Sequence, residues 1–172
     1  MTEGPATEGP VPRDRDAAGR PRNARPRDEL GRPLGRGVGG AGDVPRIPDD
    51  LTVTPAEAAA LGGSLLTEGK PFHAHEVFEA AWKSAPEPER ELWQGLAQIA
   101  VGLTHARRGN ARGAVSLLRR GARQVRGYGA RDGVDPGFVA ASAEDVALRI
   151  ERDGLPTVPD ADLNLALGPR EG

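Results

Sequence analysis

From Pro55 onward the apolar residues recur every three to four positions, the period of helices that bury one face, and nowhere alternate as a half-buried strand would. Thr54 suits an N-cap, Pro55 the first helical position and Glu57 the third, so a first helix is expected from Pro55 to Thr67, weakened in its middle by Gly62 and Gly63. "EGKP" breaks the pattern. Pro71 opens a second helix and "APEP" at 85–88 closes it. The third, from Glu87 to about Arg108, is apolar nearly all round: Leu92, Trp93, Leu96, Ile99, Val101 and Leu103 spread over its circumference, which places it in the middle of a bundle.

Gly109 fits a left-handed position after that helix and Asn110 the next N-cap. The fourth helix, Asn110 to about Gly127, sets Ala114, Val115, Leu118, Ala122 and Val125 against Arg112, Arg119, Arg123 and Arg126, the pattern of an outer helix. After a turn near Phe138, "SAED" predicts a fifth helix with Ser142 as N-cap and Asp145 at its third position, ended by Gly154 and Pro156. The tail "TVPDADLNLALG" is expected to dock partially through its leucines. The fold class is all-α: a compact bundle of four to five helices.

Composition divides the chain. Residues 1–48 hold eight of the sixteen prolines and nine of the twenty-four glycines, with nine arginines, seven acids and no aromatic residue. Such a segment buries too little apolar surface to offset its ordering entropy, and a disordered N-terminal arm is expected there. A helical domain is expected over 49–155 and a tail over 156–172. The absence of cysteine removes disulfides, thiolate ligands and thiol nucleophiles. The first ten residues lack the basic and apolar regions of a signal peptide, and no long apolar run suits a membrane, so a cytoplasmic protein is expected.

The candidate chemistry lies in "HAHEVFEAAW", residues 73–82. At about 100° per residue, His75, Glu79 and Trp82 fall within roughly 60° on the second helix, and Gln94, Gln98 and His105 within roughly 40° on the third. Buried polar groups need partners. The simplest arrangement faces the two rows across one helix pair, with Gly95 and Gly102 allowing close approach and Glu76 at the rim. His73 projects to the other side of its helix and is expected at the surface. In a catalytic reading His75, Glu79 and His105 hold a divalent metal (Zn, Mn, Fe or Ni), Glu76 is the general base for a bound water, and Gln94, Gln98, Asn110 and Trp82 orient water or substrate. In a structural reading the same groups form a buried network that fixes helix register.

Ala74, His75, Glu76, Glu79 and Trp82, then Gln94, Gly95, Leu96, Gln98 and Ala100, then His105, Gly109, Asn110, Gly113 and Ala114 give this chain the pattern A-H-E-x-x-E-x-x-W, Q-G-L-x-Q-x-A and H-x-x-x-G-N-x-x-G-A. Over roughly residues 65–128 the chain resembles the small bacterial and archaeal family called domain of unknown function 309. The resemblance implies a compact all-helical fold and, since the family is described as predicted metal-dependent hydrolases, metal-assisted hydrolysis. The Pro/Gly/Arg-rich N-terminus lies outside that pattern.

Two other classes of function compete. Eight arginines and no acid lie between Arg107 and Arg131, and the stripe Arg112, Arg119, Arg123 and Arg126 suits phosphates of a nucleic acid or another anion. Against that, only Tyr128 is near for base stacking, and arginine makes up twenty-one of the twenty-three basic residues throughout the chain. A non-catalytic interaction module is the third class. With six aromatics in the whole chain, a homodimer would complete the core from a second copy.

Overall fold

Among the described residues five α-helices follow one another: α1 (Pro55–Thr67), α2 (Pro71–Ser84), α3 (Glu87–Arg107), α4 (Ala111–Val125) and α5 (Pro136–Asp153). Two short 3-10 turns, Leu155–Thr157 and Asp160–Leu163, come after them. The computed structural model describes Pro48 and residues 50–170. Apart from Pro48, the arm expected over residues 1–48 lies outside the described residues. The fold is all-α, and its β-type pairing among the described residues is an isolated bridge, Arg131 to Val134.

Local chemistry sets most helix ends. The Glu57 N–H donates to Thr54 Oγ1 at 3.2 Å while the Thr54 N–H donates to Glu57 Oε2 at 2.9 Å, closing a capping box on α1. Gly109 ends α3 at φ +82°, and the Gly113 N–H donates to Asn110 Oδ1 at 3.0 Å to open α4. α5 departs from expectation. Its N-cap is Asp135, whose Oδ1 accepts from the Phe138 N–H at 3.0 Å, and Pro136 is its first residue. Asp followed by Pro is a stronger start than Ser142, which lies inside the helix.

α3 is the central helix, with α2 packed on one side and α4 on the other; α1 lies on α2 and α5 on α4. Leu92, Trp93, Leu96, Ile99 and Leu103 are fully buried. The Trp93 ring lies 6.3 Å from Phe78, centroid to centroid, and burial of each such side chain stabilises by about 1.5–3 kcal/mol.

Of the two glycines that weaken α1 by propensity, packing requires Gly62 and leaves Gly63 in a tight contact. A Cβ at Gly62 would stand 2.3 Å from Phe78 Cε1, and one at Gly63 would stand 3.2 Å from Leu167 Cδ1. The tail docks through its apolar residues. Val158, Leu163, Leu165 and Leu167 are buried, the Asp135 N–H donates to the Leu167 carbonyl at 2.7 Å, and Arg107 donates to Asn164 Oδ1 and to the Asp160 carbonyl. No helix among the described residues is long and apolar enough to cross a membrane.

Candidate functional site

Among the described residues no hydrogen bond or ion pair joins the two polar rows. α3 turns Gly95 and Gly102 toward α4, where a Cβ on Gly95 would lie 2.6 Å from Val125 Cγ1 and 3.2 Å from the Gly121 carbonyl oxygen. A Cβ on Gly102 would lie 3.1 Å from the Leu118 nitrogen. Close approach is therefore made with α4, not with α2. Beside it the Gln124 amide donates to Gln94 Oε1 at 2.7 Å. Gln98 is part-buried, and its Oε1 has no hydrogen-bond partner among the described residues.

His105 sits at the far end of α3 in the turn to α4. Asn110 Oδ1 accepts from Gly113, so the amide N–H of Asn110 is left to donate to His105 Nδ1, 3.0 Å away. Both residues are committed to the turn in this arrangement. Among the described residues no three His, Asp or Glu side chains are grouped so as to hold a metal ion. Of the expected ligands His75, Glu79 and His105, the structure brings together the first two.

On α2, Ala74, Val77, Phe78 and Ala81 form the buried face. His75 lies beyond its edge, with Nδ1 2.6 Å from the Phe72 carbonyl and Nε2 3.7 Å from Glu79 Oε2. The carbonyl can only accept, so Nδ1 carries a proton and Nε2 is the atom turned to Glu79. A lone pair facing a carboxylate is repelled; a proton or a bound cation on Nε2 makes the pair attractive. Donation from one ring nitrogen to a backbone carbonyl is also how metal-binding imidazoles are oriented. The donor set here stops at two.

His73, expected at the surface, is 2% exposed. α2 buries a different arc from the one centred on His75 and Glu79, and His73 stands at the edge of that arc. Neither of its ring nitrogens has a hydrogen-bond partner among the described residues, and Nδ1 lies 3.6 Å from Glu76 Oε2, itself buried and likewise without one. Unpartnered buried polar atoms are rare and costly. Glu76 also lines a cleft of about 340 Å³ on the outer side of α2, shared with Glu79, Lys83 and Ser84 and roofed by Asp50, Leu51 and Thr52. Trp82 is part-buried against the core. Of these, the sequence reading missed His73, Asp50 and Lys83. The i, i+3 spacing of His73 and Glu76 was the available signal.

Two of the four arginines of the stripe are engaged by α5. Arg119 donates twice to Glu151, at 2.7 and 2.6 Å, and Arg126 pairs with Glu144 at 2.5 Å.

Fold and cleft define a small helical domain with an acidic hollow on one helix. Residues 60–117, from mid-α1 to mid-α4, match the model of a family described as domain of unknown function (DUF309), which bears out the resemblance read from the motifs. Over 48 residues the chain is 44% identical to YpuF, an uncharacterized protein of Bacillus subtilis (strain 168). That match covers 27% of this chain and 28% of the relative, so the chain spans just over a quarter of that protein's length. No solved structure matches the chain.

Proposed function

We propose that the chain is a ligand-binding domain whose site is the α2 cleft, and that its ligand is a small polar cation carrying an amine or guanidine. The observation that carries this reading is Glu76, which lines the cleft and whose carboxylate accepts no hydrogen bond among the described residues, with His73 Nδ1 3.6 Å from its buried oxygen. The size of the cleft adds support, since about 340 Å³ lies within the range of small-molecule sites. So does its charge: Asp50, Glu76 and Glu79 face one base, Lys83. The His75–Glu79 pair supplies a further reason, because a proton or cation at Nε2 is what makes it attractive. Metal-assisted hydrolysis through His75, Glu79 and His105 has less support, because His105 belongs to the α3–α4 turn.

Calorimetric titration of the full chain with agmatine and with putrescine tests the proposal, using wild type and Glu76→Gln. Loss of one charge-assisted hydrogen bond is worth about 1.5–3 kcal/mol, so Glu76→Gln should weaken binding at least about tenfold with the helical circular dichroism unchanged. Absence of heat with both amines overturns the reading. Stoichiometric binding of Zn or Mn, lost in both His75→Ala and Glu79→Ala, would replace it with the metal reading.

A further inference from the structure

We infer that the groove between α4 and α5 docks an acidic amphipathic helix of a partner protein. A hollow of about 460 Å³ lies there, with Val115 and Ile150 in its floor and Arg112, Ser116, Arg119 and Arg123 along its wall. It meets a second hollow, of about 430 Å³, at Ala111, where Leu155 and Val158 continue the apolar lining. Residues 112, 116, 119 and 123 follow the i, i+4, i+7, i+11 spacing of one straight helical row. From Ala111 to Arg123 that row is about 18 Å long, the length of roughly three turns of a docked helix. An apolar floor bounded by a polar row matches the way an amphipathic helix seats its buried face.

Charge selects the occupant. Arg112 and Arg123 are exposed and form no ion pair among the described residues, while Arg119 is held by both oxygens of Glu151. Asp160 is the other acid of the groove, and Arg107 stands beside it. The net field is positive, so a partner with carboxylates flanking its apolar face is favoured. A nucleic acid fits less well: no aromatic side chain lines the groove for base stacking, and the two unpaired arginines lie about 16 Å apart along α4. The chain's own first 48 residues carry nine arginines against seven acids and lack the complementary charge.

Fluorescence anisotropy on the full chain tests this with a designed, fluorescein-labelled amphipathic helix bearing leucines on one face and glutamates on both flanks. Its lysine-flanked twin is the comparison. Saturable binding of the glutamate peptide is expected, weakened about tenfold by Arg112→Glu and Arg123→Glu together, with two rim contacts each contributing up to about 1 kcal/mol. Val115→Asp should weaken it as well, while Arg120→Glu, the same charge change outside the groove, should leave it nearly unchanged. The proposal is overturned by no saturable binding, by equal binding of the lysine twin, or by an equal loss in Arg120→Glu. Two further results overturn it: a single-stranded oligonucleotide that binds as tightly and is lost in the same variants, or a concentration-dependent dimer abolished by Val115→Asp.

Discussion

A methyl group at Gly121 should destabilise the fold although it improves helix propensity. Its Cβ would stand 2.6 Å from the Gly95 carbonyl oxygen, 2.6 Å from Ile99 Cγ1 and 3.1 Å from the Ile99 nitrogen. Comfortable separation begins near 3.5 Å, so α4 must lift from α3 by roughly 1 Å, enough to forfeit a quarter to a half of the dispersion energy along that seam. Two of the three obstructing atoms are backbone and cannot rotate aside. Overpacking of this kind costs about 1–3 kcal/mol, and the upper end applies here. Replacing glycine by alanine inside a helix returns about 1 kcal/mol. The net loss is about 2 kcal/mol, or roughly 6–10 °C in Tm for a domain of this size. Gly127 provides the control, because a Cβ there meets nothing within 4 Å; Gly127→Ala should be neutral or gain up to about 1 kcal/mol by restricting the unfolded chain. Urea and thermal unfolding followed by circular dichroism would read both. Gly121→Ala as stable as wild type, or an equal loss at Gly127, would refute the close approach of α3 and α4.

Three further outcomes follow from the same structure. Gln94→Ala and Gln124→Ala should each cost about 1 kcal/mol and show a coupling of about 0.5–1 kcal/mol in a double-mutant cycle, whereas Gln94 and His75 should be additive. Leu167→Ala, at a buried side chain packed on Gly63, should cost about 2–3 kcal/mol in urea unfolding, which a loosely attached tail would not. The Glu68 carboxyl is held below its ordinary value of 4.5, first by the hydrogen bond from Lys70, then by that from Ser64 and by the Lys70 charge. Its contribution to stability is therefore present above pH 4.5 and is lost as pH falls through the lowered folded value. NMR titration should find the Glu68 midpoint raised in Lys70→Ala, and an unmoved midpoint would contradict that cause.

The helices could be read from the sequence wherever local chemistry decides their ends. Thr54 with Glu57 and Gly109 with Asn110 act over three or four residues, and the structure uses all four as expected. α5 starts earlier than "SAED" predicts because "DPG" also signals a start, and the Asp135 cap followed by Pro136 is the one the chain uses. The site was less legible, for a geometric reason. Helical angles state which residues share a row, but a helix buried all round has several neighbours, and nothing in its own angles says which one a row meets. Matching small residues carry that information: Gly95 and Gly102 are seven apart on α3, and so are Ala114 and Gly121 on α4. On α2 the apolar residues Ala74, Val77, Phe78 and Ala81 centre about 90° from His73 and about 150° from Glu79, so the buried histidine was the one set aside. Asp50 enters the cleft from a segment without helical period, and only the folded chain brings it there.

The division of labour between the two polar rows, α3 tied to α4 and α2 open to a ligand, is tested most directly by NMR. The measurement is a titration of the isotope-labelled full chain with agmatine, following backbone amides. Saturable shifts confined to residues 50–52 and 76–84, absent in Glu76→Gln and retained in Gln94→Leu, are the predicted result. Shifts centred on His105 and Asn110, or no saturable shift in the wild type, would contradict it.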